Sequence, residues 1–235
     1  MNIILFEKDE RTFLKDDDRY QHLKKVLKAN EGSTFKGGII NGMSGTATIT
    51  TFDDKSVSFT FTEEKDASSL YPITLVLAEV RPICMRRILR ELVSLGVGRL
   101  VLVISDLGEK SYSSSSLYTT DEYEKIMIDG AMQSGFTGVP EVVFALNVEE
   151  AISLTGDGQK LLLDPKKGLD NLSEFAFNES NAILAIGPER GWSDREVDLF
   201  LKAGYTPLLM GKRILRTETA VVAGLSLTLA GKKLI

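Results

Sequence analysis

From Ile73 onward the chain alternates short apolar runs with stretches of helical periodicity, and this alternation constrains its fold more than any other feature. Ile73–Ala78 is apolar throughout. Pro82 then precedes Met85–Leu95, where Ile88, Leu89, Leu92, Val93 and Leu95 recur at helical spacing; Gly96 suits a helix end, and Leu100–Ile104 is the next apolar run. A strand buried on both faces, a helix and a second such strand form a unit that calls for a mostly parallel sheet. The rhythm continues through a helix from a Thr119-x-x-Glu122 capping box to about Ser134, then Val142–Ala145, Val148–Leu154, Lys160–Leu163, a short helix within Leu169–Phe177, Ala182–Ile186, Asp194–Ala203, Thr206–Met210 and Thr217–Leu229. The last helix is apolar all round, so it is expected to be buried in a core or against another subunit.

The first 69 residues read differently. Ile3–Phe6 is a short strand, and Gln21–Ala29 sets Leu23, Val26 and Leu27 on one helical face with Lys24, Lys25 and Lys28 on the other. Thr34–Ile40, Thr46–Phe52 and Val57–Thr62 are rich in β-branched and aromatic residues and are separated by turn chemistry, which predicts a small barrel. The polar stretch Glu63–Ser69 marks the boundary, giving domains 1–69 and 70–235. Ser113–Ser116 reads as a surface loop.

Composition narrows the chemistry. The single cysteine, Cys84, and the single histidine, His22, leave no disulfide framework, no zinc cluster and no plausible Ser-His-Asp triad. Cys84 is expected to pack rather than react. No apolar run approaches a membrane span, and the N-terminal residues lack the pattern of a secretory signal, so a cytoplasmic protein without membrane or metal partners is expected. A net charge of −5 disfavours a broad nucleic-acid footprint, yet the cations cluster. Lys24, Lys25 and Lys28 form one group, Arg81, Arg86, Arg87, Arg90 and Arg99 a second, and Lys212, Arg213 and Arg216 a third.

Two signatures carry the site. Gly187-Pro188-Glu189-Arg190-Gly191-Trp192-Ser193 and Gly211-Lys212-Arg213-Ile214-Leu215-Arg216-Thr217-Glu218-Thr219-Ala220 each follow a strand and open a helix, where ligands of α/β proteins collect. The three-glycine dinucleotide fingerprint and the phosphate loop are absent, and Glu189 opposes a pyrophosphate. An adenosine read by backbone groups, or a ligand carrying positive charge, fits better.

These residues resemble the bacterial 16S rRNA uridine-N3 methyltransferase family of the SPOUT superfamily. The likeness rests on Ile186-Gly187-Pro188-Glu189-x-Gly191-x-Ser193-x-x-Glu196 and Leu209-x-Gly211-x-Arg213-Ile214-Leu215-Arg216-Thr217-Glu218-Thr219-Ala220. Weaker support comes from Gln21–Lys28, Leu95-Gly96-Val97, Glu109-Lys110-Ser111 and Gln133-Ser134. The resemblance implies an N-terminal PUA-like RNA-binding β-barrel and a C-terminal SPOUT α/β domain with a trefoil knot. It further implies a homodimer built partly from the last helix, S-adenosylmethionine as methyl donor, and rRNA or the small ribosomal subunit as partner. The donor would be held by Leu163, Asp164, Ile186, Gly187, Pro188, Gly191, Leu209, Met210, Gly211, Ile214, Leu215 and Thr217. RNA contacts are expected from Lys24, Lys25, Lys28, Arg86, Arg87 and Lys110.

Uridine N3 carries a proton that must leave before or during attack on the methyl, and the developing anion needs a cation or donors. Arg216 is the expected stabiliser, Glu218 the base or the group that orients Arg216, and Glu189 an alternative base. A structural salt bridge at the helix start is the competing role. The sequence departs from the family pattern at Ser94, at Arg190 and Trp192, at Lys110, and in Met132-Gln133-Ser134-Gly135-Phe136, which marks a divergent member changed mainly on its acceptor side. A methyltransferase acting on another RNA, and a non-catalytic RNA-binding or assembly protein keeping the fold, are the alternatives. An oxidoreductase is opposed by the missing fingerprint and by Glu189.

Overall fold

The structure is a computed structural model that describes residues 2–120 and 122–235. Met1, part of the N-terminal reading, and Asp121, inside the expected capping box, lie outside the described residues. The chain divides into two compact units, Met1–Ser69 with Ile128–Val139, and Leu70–Met127 with Pro140–Ile235.

The first unit contains β1 (Ile4–Phe6), β2 (Thr12–Leu14), α1 (Asp18–Lys25), β3 (Thr34–Ile39), β4 (Met43–Phe52) and β5 (Ser56–Asp66). The sheet order is β1-β3-β4-β5-β2, parallel only between β1 and β3. β1 and β2 are the two edges, yet the rings of Phe6 and Phe13 on them lie 6.4 Å apart, and both pack on Phe59 at 5.0 and 4.9 Å. The sheet is therefore curled around one aromatic core. Each of these buried rings contributes on the order of 2–3 kcal/mol by leaving water. β2 escaped the sequence reading because only Phe13 of its three residues points inward.

The first helix differs from expectation. It runs over Asp18–Lys25, capped by the Asp17 carboxylate, which accepts the Arg19 N–H at 2.8 Å. Lys28 adopts φ 50°, a left-handed turn stabilised by the Ala29 N–H donating to Leu23 O. Tyr20 and Leu23 form the buried face, while Val26 and Leu27 are 64% and 50% exposed. The helical spacing of Val26 and Leu27 was thus misleading, because the helix has already ended.

The second unit contains β6 (Tyr71–Ala78), α2 (Pro82–Ser94), β7 (Val97–Val103), α3 (Ser116–Thr119), α4 (Glu122–Ser134), β8 (Glu141–Ala145), α5 (Val148–Ser153), β9 (Gln159–Leu163), β10 (Asp170–Asn171), β11 (Ala182–Ile186), α6 (Asp194–Lys202), β12 (Thr206–Leu209) and α7 (Thr217–Gly231); the last part of α4 belongs with the first unit. Its sheet is parallel throughout, in the order β10-β12-β9-β11-β6-β7-β8. Leu75, Val76, Leu77 and Ala78 are all inaccessible to solvent, so both faces of β6 are covered and the continuous apolar run is explained. On one face Val76, Ala78, Val101, Val103, Ile183 and Ala185 meet Trp192, Val197 and Phe200. α2 packs with α7, and α7 with β11.

The Thr119–Glu122 box does not form as expected. The Thr119 hydroxyl donates to Ser115 O, Thr120 Oγ1 accepts the Glu122 N–H, and the Glu122 carboxylate is engaged by Arg86. The serine run lies in a 3₁₀ turn, Tyr112–Ser114, and the start of α3. In α7 only one stripe is buried, comprising Thr217, Val221, Gly224, Leu225, Thr228 and Leu229; Val222 is 36% exposed and Ala223 and Leu227 are half-buried. Among the described residues no helix is long and apolar enough to cross a membrane, and no group of three or more His, Cys, Asp or Glu is placed to hold a metal ion.

Candidate active site

The carboxyl ends of β9, β11 and β12 meet at one hollow of about 650 Å³, counted out to its open mouth. All the residues expected to hold a methyl donor line it, together with Pro165, Glu189, Leu208, Arg213 and Ala220. Leu208 could have been found from its place inside the last strand, and Pro165 from the polar turn Asp164-Pro165-Lys166-Lys167-Gly168 at a strand's carboxyl end.

Three turns shape this cavity. After β11, Pro188 O accepts the Gly191 N–H at 2.9 Å, and Gly191 takes φ +72°, a region unfavourable to residues with a Cβ. A Cβ on Gly187 would meet the backbone of Gly191 and Trp192 at 3.1 Å, so a side chain there would press on the turn by a few tenths of an ångström. Trp192, 1% exposed, pins the turn to α6 by an edge contact with Phe200 at 5.0 Å. After β9, Asp164 Oδ1 accepts the N–H groups of Lys166 and Lys167 at 2.8 and 2.7 Å. That carboxylate oxygen is occupied in folding its own turn, so Asp164 shapes the rim. After β12, Gly211 takes φ +85°.

A second, wider cavity adjoins the first and shares Pro188, Glu189, Ile214, Leu215 and Thr217 with it. Arg216, Glu218 and Glu189 all line it, so the structure brings the expected catalytic residues together. Arg216 is the N-cap of α7 but makes no side-chain cap bond, and no ion pair joins it to Glu218. The competing role of a structural salt bridge is therefore not realised between these two residues. Glu189 Oε1 accepts the backbone N–H of Arg81 at 3.3 Å.

Arg81, Cys84, Glu109, Tyr112 and Arg190 complete the charged and polar lining. Three arginines thus line this cavity with three glutamates. Arg81, at the start of α2, was noted only as part of a basic group. A hydrogen bond with Tyr112 raises its pKa further. Cys84, expected as packing, is half-buried at this cavity; burial, with Glu218 and Glu189 nearby, pushes its thiol pKa up and keeps it protonated. Just after β6, burial pushes the Glu79 carboxyl up to about 7, and Tyr118 donates its hydroxyl to Val80 O at 3.1 Å.

The expected RNA-contacting cations separate into groups. Arg86 is paired with Glu122 and does not line the cavity. Arg87 and Lys110 are exposed without lining it. In the first unit Lys25 and Lys28 are exposed, and Lys24 pairs with Asp54 at 3.0 Å.

Residues 67–229 match the family described as RNA methyltransferase domain. The chain is 39% identical over 98% of its length, and 91% of the relative's, to the ribosomal RNA small subunit methyltransferase E of Treponema pallidum. It is 29% identical to ribosomal RNA small subunit methyltransferase E 1 of Borreliella burgdorferi, covering 97% of each chain. In fold it is similar to the crystal structure of a ribosomal RNA small subunit methyltransferase E from Neisseria gonorrhoeae bound to S-adenosyl methionine, with a TM-score of 0.81 at 24% identity over 98% of this chain and 97% of that one. The likeness to the Treponema protein runs along nearly the whole chain, so it does not set this sequence apart as a divergent member.

Proposed function

The chain belongs to the RNA methyltransferase domain family, and on that premise we propose that it transfers a methyl group from S-adenosylmethionine to small-subunit ribosomal RNA, at N3 of a uridine in 16S rRNA. The observation that carries this reading is the pair of adjoining cavities at the carboxyl ends of β9, β11 and β12, one built from glycine turns and apolar side chains, the other ringed by arginines and glutamates. The first fits the donor: its turns bring backbone close, as the tight 3.1 Å contact that a Gly187 Cβ would make shows, and Leu163, Ile186 and Leu209 offer apolar walls to an adenosine.

When bound, the donor supplies a methyl already activated on a sulfonium centre. The chain's own residues manage the acceptor. Glu218 or Glu189 takes the N3 proton, and Arg216 stands against the charge that develops on the uridine oxygens as the N–C bond forms and the S–C bond breaks. Arg87, Lys110 and the lysines after Tyr20 supply cations for the RNA backbone.

The first unit is read as a PUA-like barrel, which its curled sheet and aromatic core support. A trefoil knot in the second is supported by strand order. β12 pairs with β9 on the side away from β11, so the chain crosses β9 between them, and α7 returns over β11. A homodimer through α7, acting in the cytoplasm, is part of this reading; the exposure of Val222, with Ala223 and Leu227 half-buried beside it, supports the subunit contact. Mass-spectrometric mapping of rRNA from a deletion strain tests the function. Loss of one N3-methyluridine in 16S rRNA is expected, and an unchanged map overturns the reading.

A further inference from the structure

Glu196, near the start of α6, has no exposed surface, and its carboxylate does more than close its own helix. Oε2 accepts the Ser193 N–H at 2.7 Å, while Ser193 Oγ accepts the Glu196 N–H at 3.2 Å; together these are a capping box. Oε1 reaches across to accept the Asp106 N–H at 2.8 Å, 90 residues earlier in the chain. The Asp106 carboxylate accepts in turn from the Ser193 hydroxyl and from Arg195, whose Nε and Nη2 lie at 3.0 and 2.8 Å. Arg195 Nη1 continues to Glu149 of α5 at 2.6 Å. A sequence reading sees only the box, because the second half of the arrangement joins residues far apart in the chain.

Ser193 closes the turn that carries Pro188, Glu189 and Arg190. Asp106 opens the loop that carries Leu107, Gly108, Glu109 and Tyr112. Both segments line the acceptor cavity. We propose that Glu196 and Asp106 are positioning residues that hold the loop after β7 against the glycine turn after β11, setting the width of the acceptor cavity before RNA arrives. A fully buried carboxylate shared by two N–H groups is well suited to this, since it has no water to take the place of either donor. The Asp106 side chain is more exposed, so its share is smaller. The donor turn keeps its own bond between Pro188 and Gly191, so the loop after β7 is the partner that moves when the clamp is loosened.

The kinetic consequence rests on the methyltransfer reading, whereas the clamp itself does not. The test compares wild type with Asp106→Ala and Glu196→Gln, using S-adenosylmethionine and small ribosomal subunits from the deletion strain. Hydrogen exchange at the amides of 107–112 is expected to rise about tenfold or more in Glu196→Gln and about threefold in Asp106→Ala. In Asp106→Ala, KM for the subunits is expected to rise about fivefold while the dissociation constant for S-adenosylmethionine stays within about twofold; Glu196→Gln raises KM further. Unchanged exchange at 107–112 overturns the clamp. Donor affinity falling in Asp106→Ala in proportion to the rise in KM overturns the positioning role. If wild type leaves the subunits unmethylated, the methyltransfer reading fails, and the exchange measurement still decides the clamp.

Discussion

Arg86 and Glu122 form a bidentate pair, with Nε 2.6 Å from one carboxylate oxygen and Nη2 3.0 Å from the other. Each side chain is one-third exposed, and the Arg86 pairing holds the Glu122 carboxyl below the usual carboxylate range. The guanidinium therefore fastens α2 to the first turn of α4. Arg86→Ala is expected to cost about 0.5–1 kcal/mol of stability in denaturant titrations and to leave RNA affinity unchanged. Arg87→Ala should leave stability unchanged and reduce the salt dependence of RNA binding by about one counterion. The opposite pattern would return Arg86 to the RNA surface.

Gly187 and Gly191 should respond to alanine for different reasons. A Cβ at Gly191 meets nothing within 4 Å, so Gly191→Ala pays only for its positive φ, about 1–2 kcal/mol. At Gly187 the new atom presses on the Gly191 backbone and displaces the turn itself. Calorimetric titration with S-adenosylmethionine is expected to show about tenfold or greater weakening for Gly187→Ala. Equal affinities for the two variants would remove the turn from the donor site.

Arg216→Ala removes a cation that takes no part in capping or pairing with Glu218. Turnover is expected to fall about 100-fold or more, with thermal stability and donor affinity preserved. Arg216→Lys should recover part of the loss, since charge survives while the planar fork does not. Turnover at the wild-type level in Arg216→Ala would exclude it from the reaction.

Glu79 should make stability depend on pH. Its folded pKa, raised by burial to about 7, lies above the ordinary value of 4.5, so the fold binds this proton more tightly than the unfolded chain does. The resulting stabilisation is complete below about pH 4.5 and is lost as pH rises through 7, amounting to at most about 3 kcal/mol. Glu79→Gln is expected to match wild type near pH 5 and to exceed it near pH 8. A constant difference across that interval would show a carboxyl that titrates normally.

Val221 and Val222 are neighbours on α7 with opposite surroundings, the first inaccessible and the second 36% exposed. Val222→Asp is expected to yield a folded monomer by analytical ultracentrifugation, and Val221→Asp to unfold the chain. A dimer that survives Val222→Asp would place the subunit contact elsewhere.

How much of this was readable in the sequence depends on the range of the forces involved. The parallel sheet was legible because runs such as Ile73–Ala78 are buried on both faces and show it residue by residue. The turns that line the first cavity were legible because Gly187, Gly191 and Gly211 answer to local backbone demands; which residues gather there came from the resemblance. α1 was misread because its end depends on the left-handed turn at Lys28, which lysine does not advertise. Asp170–Asn171 was missed as a strand because two residues carry no periodicity and pair only once β12 is in place. The occupation of Arg86 by Glu122, and of the Asp106 N–H by Glu196, follows from tertiary approach and leaves no trace in local spacing.

Trp192 is the only tryptophan in the chain, and it is packed directly behind the glycine turn against Phe200. The molecule therefore carries a built-in fluorophore at the edge of its proposed donor pocket, with no second indole to obscure it. A shift or quenching of its emission would report rearrangement of the turn in the unlabelled protein, on the timescale of mixing, and would do so whether or not an acceptor is present.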